Sequence, residues 1–145
     1  MRALIQRVTQ ASVSVAGQKV GEIDQGLLVL LGVAQGDDSS QVQKLAERLI
    51  NYRIFSDDQG RMNHSLKTIE AELLIVSQFT LCADTQKGLR PGFSTAAPPD
   101  IAEQLYKDFV DYCSQQITRV ETGIFGADMQ VALINDGPVT FLLES

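Results

Sequence analysis

Two short segments of this chain hold residue types able to do chemistry. The first, Ser77-Gln78-Phe79-Thr80-Leu81, sets two hydroxyls and an amide directly after an apolar run. Polar side chains and backbone amides at the end of a buried strand can face a cleft, where binding and catalysis concentrate. A strand fraying into a loop fits the same pattern. The second segment is Asn135-Asp136-Gly137-Pro138-Val139-Thr140. Asn/Asp-Gly is a hairpin signal, so a plain turn is one reading. A Gly-Pro step also permits a cis peptide bond, and neither residue covers its own carbonyl. Such a turn could present main-chain atoms to a ligand.

Other chemistries lack their residues. The single histidine, His64, lies in a polar turn between Asn63 and Ser65, the setting of a solvated surface group. There is no H-E-x-x-H and no Cys/His cluster, so no metal site is expected. Neither a G-x-S-x-G elbow nor a phosphate-binding P-loop is present. Asp37-Asp38 and Asp57-Asp58 read as solvated turn carboxylates. Cys82 and Cys113 form no C-x-x-C pair and read as reduced thiols of a cytoplasmic protein.

Elements must position the two segments. Residues 2–8 and 11–16 look like strands, the second alternating Val13 and Val15 with Ser12 and Ser14. Lys19 to Ile23 returns after a Gly17-Gln18 turn. Leu27 to Val33 is continuously apolar, as in a strand covered on both faces. A capping box at Ser40 and Gln43 opens a helix with Val42, Leu45, Ala46, Leu49 and Ile50 on one face. Arg53 to Phe55 and Leu73 to Phe79 are further strands. Residues 82–98, punctuated by Gly88, Pro91-Gly92 and Pro98, form a long loop of the kind that often carries function. A helix from Pro99 to Gln116 presents Ile101, Ala102, Leu105, Phe109, Val110 and Cys113. Strands at 118–122, 129–134 and 139–143 close the chain. The expected fold is α/β, a single domain over 1–145. Its curved, partly barrel-like mixed sheet is covered by two main helices, in the order ββ(βα)2βββ.

Bulk properties agree. The 145 residues are 44% hydrophobic and 21% charged, ordinary for one globular domain. A chain this long buries roughly 68–70% of its unfolded surface and needs no staples. The longest apolar run is too short to span a bilayer, and the opening residues lead into a strand pattern rather than a secretory leader. Net charge is −6 and the pI about 4.6, which argues against coating nucleic acid broadly. Recognition of one RNA end needs only a few cations, and Arg2, Arg7, Lys87 and Arg90 are available.

The ordered pair SQFTL and NDGPVT resembles the two signature motifs of the D-aminoacyl-tRNA deacylases. Intervening text agrees: Arg53-Ile54-Phe55, Gly60-Arg61-Met62-Asn63, Lys87-Gly88-Leu89-Arg90-Pro91 and Phe125-Gly126-Ala127-Asp128-Met129. The resemblance runs in register along the whole chain. It implies hydrolysis of D-aminoacyl-tRNA esters by a homodimer acting on the tRNA 3′ end, without cofactor, membrane or DNA. It also implies a cis Gly137-Pro138 step that reaches into the partner's pocket and is braced by Arg7. Ser77, Gln78, Phe79 and Thr80 would line the receiving pocket, with Phe125 and Met129 as wall; a core role for these last two is the other reading. Thr80 is the candidate nucleophile, yet no motif residue supplies its base. Assistance by the ribose 2′-hydroxyl, with oxyanion donors at the Phe79 and Thr80 amides, is the expected route. The Gly137 and Pro138 carbonyls would exclude L side chains, leaving glycyl-tRNA to leak through. Two alternatives are a deacylase for small L-aminoacyl-tRNA and a non-catalytic nucleic-acid- or protein-binding module of the same fold.

Overall fold

The computed structural model describes all 145 residues. Its sheet is built around β1 (Arg2–Val15), whose length lets it pair with three strands. Along one edge it meets first β3 (Gly26–Gly32) and then β2 (Gln18–Ile23), both antiparallel. Chain order continues through α1 (Ser39–Ile50), β4 (Phe55–Ser56), β5 (Met62–His64), the single turn α2 (Leu66–Ile69) and β6 (Glu72–Ser77). A 3₁₀ turn at Phe79–Cys82, α3 (Pro99–Ser114), β7 (Val120–Thr122) and β8 (Met129–Glu144) follow. β6 adds to β3 in parallel and β7 to β6 in parallel, while β8 runs antiparallel along the other edge of β1. β4 and β5 form a separate two-stranded ribbon.

The sheet curls until β7 approaches β2, nearly closing a barrel. Arg119 Nη2 donates to the Glu22 carbonyl at 2.9 Å, and a Cβ on Gly21 would stand 2.8 Å from the Thr122 carbonyl oxygen. The mixed α/β, barrel-like class expected from the sequence is the one observed. No helix is long and apolar enough to cross a membrane.

Continuous apolar runs now have their cause. Leu27, Val29 and Leu31 on β3, with Leu73 and Ile75 on β6, join a core of 26 buried residues beneath the helices. The intervening Leu28, Leu74 and Val76 point to the opposite face, into a second cluster of seven with Val8, Val13 and Ile23. With side chains alternating at period two, a strand buried on both faces must be apolar throughout. α1 buries the five residues its spacing predicted. α3 buries Ala102, Leu105, Tyr106, Phe109 and Cys113, whereas Ile101 stays 47% exposed. The buried Tyr106 is tolerated because its hydroxyl donates to the Ile75 carbonyl at 2.8 Å.

Several boundaries differ from expectation. Asp38, not Ser40, caps α1: its carboxylate accepts the Ser40 amide at 2.7 Å, and Gln41 Oε1 accepts the Asp38 amide at 3.0 Å. The box is of the predicted kind two residues earlier, since Asp caps as well as Ser. Asp37 is no solvated turn residue either; with its side chain only 10% exposed, it accepts the Ala34 amide at 2.6 Å. His64 lies in β5, paired with Phe55, rather than in a turn. β6 ends at Ser77, and Phe79 belongs to the 3₁₀ turn that follows.

Residues 129–144 form one strand and not two joined by a hairpin. Asn135 pairs with Val8 and Thr140 with Gln6, so residues 136–139 loop out of the ladder, which also skips Thr9 between Val8 and Gln10. Asn135 holds the loop-out locally. Its side chain accepts the Val139 amide at 2.7 Å and donates to Thr140 Oγ1 at 2.9 Å.

Candidate active site

A cavity of about 480 Å³ opens beside the end of β6. Val76, Ser77, Gln78 and Phe79 form one wall and Phe125 to Met129 another; Ala97, Pro99 and Ala102 close it from the start of α3. The site is thus assembled where a parallel strand ends and its following helix begins, a crevice that open α/β sheets commonly use for ligands. Its lining is mainly apolar, and Asp128 supplies the only charge.

Strand and turn set the first wall. The Gln78 amide still bonds to the Leu31 carbonyl at 2.8 Å, the last rung that ties this segment to β3. The chain then tightens, with Leu81 N–H donating to the Gln78 carbonyl at 3.2 Å. Amides at the start of such a turn have no partner within it. Those of Phe79 and Thr80 donate to no other backbone group. The Thr80 hydroxyl accepts a hydrogen bond from Gln78 Nε2. An amide N–H cannot take a proton from a hydroxyl, and Thr80 itself is exposed and outside the cavity lining.

Phe125 and Met129 are both core and wall. Phe125 packs on the large cluster, its ring 5.8 Å from that of Tyr106, and lines the cavity with its free face. Met129 packs on the smaller cluster and does the same. The two readings of these side chains are therefore compatible.

Gly137 and Pro138 lie elsewhere. They are exposed, their peptide bond is cis, and neither lines the cavity. Arg7 lies on β1 opposite this loop-out, in the gap between the Val8 and Gln6 pairs. Its guanidinium donates to the Asp136 carbonyl at 2.9 Å and to the Ile54 carbonyl at 2.7 Å, and meets the Asp136 carboxylate at 3.4 Å. With its side chain only 11% exposed, Arg7 ties the residue before Gly137 to the body of the fold. Of the residues singled out in the sequence, the structure gathers Ser77, Gln78, Phe79, Phe125 and Met129 around one cavity. Arg7, Gly137 and Pro138 form a second group on another surface.

Sequence reasoning missed the contribution of Ala97, just before α3, and of Pro99 and Ala102 in it, and the isolated charge of Asp128. Small residues at a helix start carry no local signal of what they face. Neither thiol is an alternative nucleophile. Both are buried, and burial pushes their acidity down, raising Cys113 to a pKa of about 12. No three His, Cys, Asp or Glu side chains converge anywhere in the fold.

Comparison with known proteins follows this geometry. The chain is 60% identical over 144 residues to the D-aminoacyl-tRNA deacylase of Shewanella loihica, covering 99% of both chains. It is 57% identical over 145 residues to that of Pectobacterium atrosepticum, covering all of both. Among solved structures it is similar to one named c-Myc DNA Unwinding Element Binding Protein. That match has a TM-score of 0.95 and 39% identity, over 100% of this chain and 99% of the other. A structure described as a probable eukaryotic D-amino acid tRNA deacylase shares the fold at a TM-score of 0.85 and 19% identity, over 99% and 98%. Residues 4–144 match the family model described as D-Tyr-tRNA(Tyr) deacylase, and the chain belongs to that family.

Proposed function

We propose that this protein hydrolyses the ester joining a D-amino acid to the terminal ribose of tRNA, releasing the amino acid and the free tRNA. One observation carries the reading. A family match spanning residues 4–144 coincides with a cavity walled by both Ser77-Gln78-Phe79 and Phe125–Met129. An ester beside a free ribose hydroxyl is already labile. Holding it, admitting water and stabilising the developing charge is sufficient catalysis. The 2′-hydroxyl assists the attacking water, and the Phe79 and Thr80 amides receive the oxyanion. No cofactor enters this scheme.

The working unit is a homodimer of this one domain, acting in the cytoplasm where tRNA is charged. Two placements support that. Gly137 and Pro138 are exposed and do not line the cavity of their own chain, while Arg7 holds the adjoining residue in place. In the dimer, the loop-out of one subunit enters the cavity of the other. Its carbonyls crowd the substrate Cα on the side an L side chain would occupy. A D side chain points away, so its identity matters little. Glycine has nothing to exclude. Incubated at high enzyme concentration, D-tyrosyl-tRNA should release tyrosine rapidly and glycyl-tRNA more slowly. Intact D-tyrosyl ester would refute the activity, and intact glycyl ester alone would refute exclusion as the filter.

A second reading, nucleic-acid binding without hydrolysis, is favoured by the name of the 39% identical structure. The net charge of −6 weighs against duplex DNA as the partner. Salt-sensitive duplex binding with no ester loss would favour it.

A further inference from the structure

Eight of the twelve Lys and Arg side chains are engaged within the fold, five of them in ion pairs. Arg2 pairs with Glu144, Arg7 with Asp136, Lys19 with Glu22, Lys107 with Glu103 and Arg119 with Glu72. Arg48, Arg53 and Lys67 each hydrogen-bond to a neighbour. Lys44, Arg61, Lys87 and Arg90 make neither kind of contact. Lys44 stands on α1 and Arg61 in the β4–β5 turn, whereas Lys87 and Arg90 share one loop tip. Of the four cations the sequence offered for RNA, the structure leaves only this pair free.

The loop is held rather than loose. Asp84 and Gly92 exchange two backbone hydrogen bonds, at 2.8 and 3.0 Å, and the Asp84 carboxylate caps the Gln86 amide at 2.9 Å. Its return leg is tied to the chain after β3 by Gln35 N–H to the Thr95 carbonyl at 2.9 Å and by Ala97 N–H to the Val33 carbonyl at 3.0 Å. Phe93 follows the clasp directly. Its ring centroid lies 5.1 Å from that of Phe79, and the two rings are 42% and 56% exposed. Phe79 also lines the cavity, and its partner Phe93 adjoins the clasp whose loop carries Lys87 and Arg90.

Exposed rings beside unpaired cations are the composition of a surface for single-stranded nucleic acid. Rings stack on base faces, and cations follow the phosphates. We infer that the Asp84–Gly92 loop and the Phe79–Phe93 pair form a track for the single-stranded 3′ end of tRNA. Lys87 and Arg90 meet its phosphates, one base stacks on the ring pair, and the terminal ribose is thereby delivered to the cavity. The identity of the RNA rests on the proposed function; the track itself rests on the cations and rings.

The test is binding of an RNA hairpin with an unpaired 3′ CCA tail, measured across a series of salt concentrations. Lys87→Gln with Arg90→Gln should reduce the slope of log affinity against log salt by roughly 1.4, the contribution of two single-strand phosphate contacts. Lys44→Gln with Arg61→Gln changes net charge equally and should leave the slope in place. Phe93→Ala should weaken binding roughly five-fold or more without altering the slope. All these positions are exposed, and melting curves check that the variants fold. Equal effects from the two double variants, or equal affinity for a blunt hairpin, would overturn the track. So would no effect of Phe93→Ala, or no binding by the unaltered protein at low salt. If the hairpin behaves as expected while D-tyrosyl-tRNA stays intact, the track stands and the proposed activity falls. Ester loss without these binding effects means the reverse.

Discussion

Thr80 has the side chain of a nucleophile and the surroundings of a bystander. Its hydroxyl accepts a hydrogen bond from the Gln78 side-chain amide, and no carboxylate, imidazole or amine bonds to it. A hydroxyl without a base is a poor nucleophile near neutral pH. Thr80→Ala should therefore lower the rate by less than about ten-fold, with the fold and tRNA affinity retained. Loss on the order of 10⁴-fold or more, the scale of removing a true nucleophile, would restore Thr80 to that role. Single-turnover ester loss separates the two. Residue types made the suspicion legible in advance, because no motif residue offered a base. What the sequence could not convey was the partner: Gln78 lies two positions away and meets Thr80 only once the chain has tightened into a 3₁₀ turn. Arg7 was likewise legible only through the family resemblance. Its carbonyl acceptors, on Ile54 and Asp136, lie far away in sequence.

At the scale of elements, period and capping chemistry carried most of the reading. α1 and its five buried residues follow from spacing alone, and the buried strands β3 and β6 follow from unbroken apolar runs. The reading failed where tertiary pairing overrode a local signal. Asn-Asp-Gly-Pro reads as a hairpin, yet β1 is long enough to pair on both sides of it and keeps β8 one strand. The strand expected at Arg53 to Phe55 lies at Phe55–Ser56, and the three-residue β5 and the single-turn α2 were too short to leave a periodic signature. Gly26 shows how tightly the parallel pairing is drawn. A Cβ there would lie 1.9 Å from the Glu72 carbonyl oxygen, a backbone atom that cannot swing away. Gly26→Ala should cost about 3 kcal/mol or more, the upper range for overpacking. Urea unfolding monitored by circular dichroism measures it; an unchanged midpoint would mean β3 and β6 can separate without loss.

At the scale of the whole molecule, the two signature segments serve different surfaces. SQFTL follows a strand that opens into the cavity, and the Gly137-Pro138 loop-out is carried on the strand along the other edge of β1, outside the cavity lining. One chain thus holds a receiving pocket and a projecting main-chain wedge that do not meet. In the proposed homodimer a second copy would bring them together, with the substrate held between the copies. The most direct test mixes the purified protein with matched D-tyrosyl-tRNA and L-tyrosyl-tRNA and follows ester loss from each. Rapid loss of the D ester alone is the predicted result. Loss of both esters would mean that Gly137 and Pro138 do not filter chirality, and loss of neither would contradict the deacylase reading itself.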